Sequence, residues 1–326
     1  MNGDDVASDV WVDCDPGIDD AVMLAALAGA VAQGRVRLHG LSSVAGNMPL
    51  EVTSANLLAL ASYLGLPHVP VARGADRPLV RAACSAAHVH GSNGLGGVDI
   101  PAGDRDRAGD SAVMAMHEAI CSLPPTSRMR LMPTGPLTNI ALLLRTFPQD
   151  ARRIRDVVLM GGSTCGGNVT SRAEYNIWAD PEAAHMVFAS GVSVVMCGLD
   201  VTLKSGLSAA QLTAMREGGE ERLRALARML SYYKGDPATW PYGVCVVHDA
   251  VPLLYMLAPS LFGGAYGSVE IGLGGDDRGE TRFIAAGRDA AADDVEGAAA
   301  AGALVLNRVD AMGFQHALAD LLGVAL

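Results

Sequence analysis

The sequence predicts an α/β fold, in which a mostly parallel central sheet is flanked by helices within a single domain. Short β-rich runs alternate with helical stretches along most of the chain, which is the pattern of a sheet covered on both faces. Half of the 326 residues are hydrophobic and only 18% are charged, so a large core can form. Because no Pro- or Ser-rich linker divides the chain, we expect one domain over residues 1–326.

Local patterns predict the order of the elements. The run DVWVD (9–13) is typical of a strand, and a helix is expected at 20–33, before the helix-terminating Gly34. Further strands are expected at 35–44, 68–74, 128–133, 156–162, 192–198, 268–273, 281–286 and 303–310. Further helices are expected at 50–64, 110–123, 136–146, 180–191, 248–258 and the end of the chain, and residues 208–234 are expected to be mostly helical. The glycine-rich stretch 263–279 is expected to be a surface hairpin and loop.

The composition argues against several classes of partner. The formal net charge is −11 and no basic run occurs, so nucleic acid and anionic membranes are poor partners. No apolar run is long enough to span a membrane. The acidic N-terminus lacks the cationic and apolar regions of a signal peptide, and six scattered cysteines form no C-x-x-C pair. We therefore expect reduced thiols and a cytoplasmic location.

An acidic cluster marks the first strand-to-helix junction. The stretch VDCDPGIDD (12–20) places four carboxylates in eight positions: Asp13, Asp15, Asp19 and Asp20. Open parallel sheets bind ligands at this edge. A helix N-terminus stabilises one nearby anion by about 0.3–1 kcal/mol, which is too little to offset the repulsion among four carboxylates. A helix cap with solvated loop acids would explain one aspartate; four favour a hard divalent cation with all-oxygen ligands, Ca²⁺ or Mg²⁺.

Polar side chains also follow other predicted strands or precede helices. These residues are Asn47, His90, Asn139, Asn168, Glu174, Asn176, His248 and Asp249. Each has a structural explanation on its own, since Asn47 suits a turn and Asp249 suits a helix cap. Because the carboxyl ends of parallel strands meet at one edge of the sheet, they can converge on one site.

Seven motifs carry a resemblance to a known family. They are DCDPGIDDA (13–21), VAGN (44–47), HGSNGLGG (90–97), TGPLTNIA (134–141), MGG (160–162), AEYNIWADPEAA (173–184) and HDA (248–250). In this order and over about residues 10–250, the chain resembles the nucleoside hydrolases, which cleave the N-glycosidic bond of ribonucleosides. The resemblance implies the Rossmann-like fold of that family. Two departures are Asn93, where other small polar residues are expected, and Tyr175, where Phe is usual.

The resemblance implies a tightly bound Ca²⁺ held by the carboxylates of Asp15, Asp20 and Asp249 and the backbone carbonyl of Thr134. It implies that Asp15 is the general base and that His248 serves the leaving base as an acid with a pKa near neutrality. The residues that it implies around the substrate are Asp19, Asn47, His90, Met160, Asn168, Glu174, Tyr175 and Asn176. Asn47 and Asp13 are also implied to support the carboxylates. A homodimer or homotetramer is also implied.

The identity of the base stays open at this point. Several aromatic residues before the HDA motif can stack on a base or pack in the core: Tyr232, Tyr233, Trp240 and Tyr242. Trp178 can likewise line the pocket or pack. The small-molecule substrate is expected to be a ribonucleoside, and clamping of both ribose hydroxyls predicts a preference over 2′-deoxyribosides. The alternatives are an aspartyl-nucleophile phosphohydrolase and an inactive nucleoside-binding protein.

Overall fold

The computed structural model describes residues 7–66, 68–103, 109, 111–235, 240–291 and 302–324, so position 110 of one expected helix lies outside it. The strands are β1 (Ser8–Cys14), β2 (Val36–Ser43), β3 (Val71–Arg73), β4 (Met129–Pro133), β5 (Ile154–Met160), β6 (Val194–Cys197), β7 (Gly206–Leu207), β8 (Cys245–Val246), β9 (Phe262–Ile271), β10 (Thr281–Ala291) and β11 (Ala303–Val309). The helices are α1 (Ile18–Ala32), α2 (Leu50–Tyr63), α3 (Ala87–His90), α4 (Ala112–Ser122), α5 (Thr138–Thr146), α6 (Tyr175–Ala179), α7 (Pro181–Phe188), α8 (Leu199–Thr202), α9 (Ala209–Glu217), α10 (Glu221–Lys234), α11 (Ala250–Leu257) and α12 (Ala311–Leu322).

Over the part of the chain that the structure describes, the main sheet has nine strands in the order β10-β9-β11-β6-β5-β4-β1-β2-β3. All neighbours from β11 to β3 pair in parallel, whereas β9 pairs antiparallel with both β10 and β11. Strands β7 and β8 form a separate antiparallel pair. The predicted single α/β domain with a mostly parallel sheet is therefore confirmed.

The sheet is buried on both faces because successive side chains of its central strands point to opposite sides. In β1, Val10 and Val12 join one hydrophobic cluster and Trp11 joins the other. In β5, Val158 and Leu159 are divided in the same way. The strands read as continuous apolar runs because both faces are covered by helices. This packing fixes the carboxyl ends of β1, β4 and β5 side by side.

One expectation about the second half of the chain is wrong. The stretch 263–279 is not all surface hairpin and loop, because its residues 263–271 belong to β9, which lies between β10 and β11 within the sheet. A Cβ on Gly264 would lie 2.3 Å from the carbonyl oxygen of Val305, and one on Gly267 would lie 2.2 Å from that of Ile284. The glycines therefore permit close strand packing. The segment 208–234 is mostly helical, as expected, and consists of two helices, α9 and α10, separated at 218–220.

Helix α1 approaches α12 so closely that its Gly29 has no space for a side chain. A Cβ there would lie 2.0 Å from the backbone oxygen of Leu321. We expect Gly29→Ala to lower the free energy of unfolding by about 1–3 kcal/mol through this clash, measured by urea denaturation. Gly219→Ala is the matched control, since nothing lies within 4 Å of its added Cβ. Equal stability of the two variants would contradict this account of the packing.

Among the residues that the structure describes, no helix combines the length and apolar character needed to cross a membrane.

Candidate active site

The predicted site residues meet at one cavity of about 460 Å³ near the carboxyl ends of β1, β2, β4 and β5. All of them line it except Asp15 and Asp20, which are fully buried. The lining residues from the predicted set are Asp19, Asn47, His90, Thr134, Met160, Asn168, Glu174, Tyr175, Asn176, His248 and Asp249. The strand-end positions thus converge, as expected for a parallel sheet.

Three carboxylates from two distant parts of the chain form the closest acidic group. One oxygen each from Asp19, Asp20 and Asp249 lies within 4.8 Å of the others, and all three residues are buried. Asp19 and Asp20 lie in the first turn of α1, and Asp249 directly precedes α11. The resemblance places Asp15, not Asp19, with Asp20 and Asp249. In the structure Asp15 lies outside this trio, although its charge acts on Asp249.

Asp15 is held by the loop that follows β2. Its Oδ2 accepts a hydrogen bond from the backbone N–H of Asn47 at 2.6 Å, and the Asn47 side-chain amide donates to the Asp15 carbonyl oxygen at 3.3 Å. Two glycines allow this fit, because a Cβ on Gly46 would lie 2.0 Å from Oδ2 and one on Gly135 2.6 Å from Oδ1. Asp15 Oδ1 is buried without a hydrogen-bond partner. That oxygen is available to a ligand.

Asp20 and Asp13 are held by hydrogen bonds from elsewhere in the sheet. The carboxylate of Asp20 accepts from the Gly17 backbone N–H at 2.9 Å and from the Thr134 hydroxyl at 2.8 Å. Asp13 Oδ1 accepts from the side chains of Ser42 at 2.5 Å and Asn139 at 2.8 Å. These contacts connect β1 with the ends of β2 and β4, so the acidic turn is fixed before any ligand binds.

The acidic cluster carries an electrostatic conflict. Burial raises the pKa of Asp20 to about 7, with the charge of Asp19 adding to the effect. Burial and the neighbouring Asp20 raise the pKa of Asp15 well above its usual range. Burial and the charges of Asp19 and Asp20 do the same to Asp249. Buried like charges at this spacing are unfavourable, and a cation removes the repulsion.

The donor set fits a hard cation. The group offers carboxylate oxygens only, the type of ligand that Ca²⁺ and Mg²⁺ prefer. The buried Asp15 Oδ1 has no hydrogen-bond partner, so it can accept a bond from a cation. The carbonyl oxygen of Thr134 accepts from Asn176 Nδ2 at 2.8 Å, which uses one of its two lone pairs. The cluster is therefore suited to hold a metal ion.

This conflict predicts how stability depends on pH. A carboxyl group whose pKa is raised in the folded state stabilises the fold below its unfolded pKa, and that contribution is lost as pH rises through the folded value, about 7 for Asp20. Without a divalent cation, the protein should lose stability as pH rises from about 4 to 8. Added Ca²⁺ should therefore raise Tm more at pH 8 than at pH 5.5.

The measurement is thermal unfolding with chelator or with excess Ca²⁺ at both pH values. A sodium salt at equal ionic strength is the control for general screening. An increase in Tm of the same size at both pH values would show that the acidic cluster is not what Ca²⁺ stabilises.

The loop between β5 and α6 supplies a second wall of the pocket. Glu174 caps α6, accepting hydrogen bonds from the backbone N–H groups of Asn176 at 2.9 Å and Gly162 at 2.9 Å. Burial raises the pKa of Glu174 to about 7. The Asn176 amide donates to the carbonyl oxygens of Thr134 and Met160, and Asn168 at the rim accepts from the Tyr175 N–H at 2.9 Å. These residues form one connected polar surface.

Tyr175 connects this loop to the acidic side of the pocket. Its hydroxyl donates to the Gly46 carbonyl oxygen at 2.8 Å, beside the loop that holds Asp15. A phenylalanine, which is usual at this position in the family it resembles, would lack this contact. Trp178 also lines the pocket, and the guanidinium of Arg278 lies 3.9 Å from its ring centroid.

His90 lies at the other end of the cavity. Its Nδ1 accepts the Ile18 backbone N–H at 3.2 Å, so in the neutral ring the proton lies on Nε2. Burial lowers the pKa of His90. Its ring stacks on Tyr233 with centroids 5.2 Å apart. His90 therefore joins the first turn of α1 to the aromatic side of the pocket.

Of the four aromatic candidates, Tyr233 is the one that lines the cavity. Tyr232 and Tyr242 are 53% and 70% exposed, and Trp240 is buried, with its indole N–H donating to the Lys234 carbonyl oxygen. The ammonium of Lys234 lies 3.7 Å from the Tyr233 ring centroid. Tyr233 is thus placed to contact a base.

The environment of His248 disfavours the protonated ring. Burial, with the charge of Lys234 adding to it, lowers its pKa to about 3. Burial therefore moves the pKa of His248 below the near-neutral value of a solvated imidazole. Nδ1 of His248 lies 2.8 Å from the Thr202 hydroxyl, which leaves Nε2 for a substrate.

Several residues near the pocket carried no motif that could reveal them. Thr202 contacts His248, Lys234 contacts Tyr233, and Cys84 lies on the cavity wall with its Sγ 3.8 Å from the Tyr175 hydroxyl. Ser85 and His88 also line the wall. The only sequence signal was their closeness to motif residues along the chain, as with His88 before His90.

Comparison with known proteins defines the class of this enzyme. The family model for inosine-uridine preferring nucleoside hydrolase matches residues 10–316, so the chain belongs to that family and is a hydrolase of the glycosidic type. Non-specific ribonucleoside hydrolase RihC of Escherichia coli O1:K1 is 36% identical over 319 residues, covering 97% of this chain and 99% of that protein. The RihC of Shigella sonnei is 40% identical over 78% of this chain and 80% of its own length.

Solved structures agree with these relatives. The purine-preferring ribonucleoside hydrolase from Gardnerella vaginalis has a TM-score of 0.85 at 29% identity, covering 97% of this chain and 99% of that chain. The resemblance read from the seven motifs is therefore confirmed at the level of family and fold.

Proposed function

We propose that this enzyme hydrolyses the N-glycosidic bond of ribonucleosides to ribose and free base, in a Ca²⁺-dependent reaction that serves nucleoside salvage. The single observation that carries this proposal is the convergence of Asp19, Asp20 and Asp249 beside a cavity lined by the predicted sugar-contacting residues. Inosine and guanosine are the first substrates to test, with uridine and cytidine as further candidates. The RihC relatives are named as non-specific, which supports a broad range.

The proposed ion is held by Asp15, Asp20, Asp249 and the Thr134 carbonyl oxygen, with an oxygen of Asp19 also close to the group. When bound, Ca²⁺ would make a water easier to deprotonate and would attract the ribose diol. Asp15 is the proposed general base, because its Oδ1 is buried without a partner and its pKa is raised.

The remaining residues orient the substrate. Cleavage builds positive charge on the ribose, as in sugar hydrolysis generally, and the surrounding carboxylates stabilise that charge. Asp19, Asn168 and Asn176 are proposed to bind the ribose hydroxyls, with Glu174 toward the 5′-hydroxyl and Met160 against the sugar. His90 and Tyr233 contact the base. His248 is proposed to donate a hydrogen bond from Nε2–H to the departing base, with Nδ1 accepting from the Thr202 hydroxyl.

The experiment that tests the function is ribose release from inosine, guanosine, uridine and cytidine, with and without chelator. We expect turnover that chelation abolishes and Ca²⁺ restores, and much slower turnover of 2′-deoxyinosine, because it lacks one of the two clamped hydroxyls. Phosphate release from a phosphomonoester without ribose release would favour a phosphohydrolase. Tight ribose binding without turnover would favour an inactive binding protein. The cytoplasmic location and the homodimeric or homotetrameric state stay predictions.

A further inference from the structure

A second group of potential metal ligands lies outside the cavity. His117 and Cys121 are one turn apart on α4, and Asp150 lies in the short 3-10 helix after α5. One ligand atom from each of the three residues lies within 4.8 Å of the others. None of them lines the active-site cavity, and the reaction proposed above does not use them.

The imidazole of His117 is held in place from two sides. Its Nδ1 lies 2.8 Å from Oδ2 of Asp150, whose side chain is only 3% exposed. Its ring stacks on Phe147, with centroids 3.7 Å apart and planes 5° from parallel. A carboxylate that accepts the N–H on one side of a histidine ring is the usual support for a histidine that binds a metal through its other nitrogen. Nε2 is the nitrogen left for that role.

Cys121 supplies a thiol beside this nitrogen. Its Sγ lies 3.7 Å from Nε2 and equally far from Nδ1, and the residue is exposed. Two ligands of one tetrahedral zinc ion, with Zn–S about 2.3 Å and Zn–N about 2.0–2.1 Å, are about 3.6 Å apart. The separation therefore suits a shared ion, once the exposed Cys121 side chain turns to bring Sγ toward the plane of the ring.

We propose that His117 Nε2 and Cys121 Sγ bind a zinc ion, with Asp150 holding the Nδ1–H and water completing the coordination. The nitrogen and sulfur donors select a borderline ion such as Zn²⁺ over the hard Ca²⁺ suited to the acidic cluster. Binding releases the thiol proton to solvent, since the thiolate is the ligand. Because Asp150 belongs to a different segment, the ion stabilises the contact between α4 and residues 148–153.

The test uses Co²⁺ as a spectroscopic probe on the full chain without a histidine tag, with the acidic cluster saturated by Ca²⁺. We expect one Co²⁺ per chain to produce the near-ultraviolet absorption of a thiolate-bound ion, which Zn²⁺ then displaces. Cys121→Ser and His117→Gln should abolish this absorption. Asp150→Asn should weaken binding about 10–100-fold.

Cys165→Ser is the matched control, because Cys165 is also exposed but contacts Ser163 and lies outside the group. It should keep the full absorption. Ribose release by Cys121→Ser should equal that of the parent, which shows that the variant is folded. An absent band in the parent, or a band that survives Cys121→Ser, would overturn the proposal. These outcomes are independent of the ribonucleoside hydrolase assay.

Discussion

Replacing Asp15 with asparagine should lower kcat/KM for inosine by about 10²–10⁴-fold, the range lost when a general base is removed. Asparagine has nearly the same shape, so it fits between Gly46 and Gly135, where a larger side chain would clash. It still accepts the Asn47 N–H that now bonds to Oδ2. What it loses is the charge and basicity of the buried carboxylate. The measurement is ribose release, with Ca²⁺ binding followed by calorimetry on the same variant.

Asp9→Asn is the control, because Asp9 lies on β1, the strand that Asp15 directly follows, is also buried and pairs with Arg37 and His39 away from the cavity. It should keep the parental kcat/KM. If Asp15→Asn hydrolysed inosine at the parental rate, the assignment of the base would be wrong. If the variant bound Ca²⁺ more weakly but kept the parental turnover at saturating Ca²⁺, Asp15 would be a metal ligand and not the general base.

His248→Ala should slow inosine hydrolysis by about 10²–10⁴-fold but slow a nitrophenyl riboside far less. Hypoxanthine is a poor leaving group without a hydrogen bond to its departing nitrogen, whereas nitrophenolate leaves as an anion. Burial lowers the pKa of His248 to about 3, so we expect the neutral ring to act as a hydrogen-bond donor and its titration to produce no limb of the pH–rate profile from pH 5 to 8.

The comparison of the two substrates is what tests the role of His248. Exposed His316→Ala, on α12 and outside the cavity, is the matched control and should change neither rate. Equal slowing of both substrates by His248→Ala would remove His248 from the donor role and point to a loss of pocket structure.

Much of the fold could be predicted from the sequence because its central strands are buried on both faces. Strand β1 was expected at 9–13 and found at Ser8–Cys14, and β5 was expected at 156–162 and found at Ile154–Met160. Strand β9 was missed in part because its glycines lower strand propensity. These glycines allow β10 and β11 to pack closely on either side of β9. A single sequence does not show which strands are neighbours, so this role could not be predicted.

The sequence allowed the residues of the site to be predicted, but not their pKa shifts or their closest contacts. The spacing in residues 13–20 placed the acids at a strand end, and the position of Asp249 before α11 brought it to the same edge. The pKa of His248 depends on burial and on Lys234, which no motif marks. The close pairing of Asp19 with Asp249 depends on how α1 and α11 meet, which follows from packing across the whole core.

The two glycines that flank Asp15 narrow the evolutionary choices open to this pocket. Neither Gly46 nor Gly135 offers a side chain to the substrate, yet even a methyl group at either position would displace the carboxylate. The position of the Asp15 carboxylate therefore depends on the absence of side chains at these two residues. A mutational survey limited to residues with functional groups would omit both glycines. Alanine, which is the smallest substitution for glycine, is nevertheless disruptive at these positions.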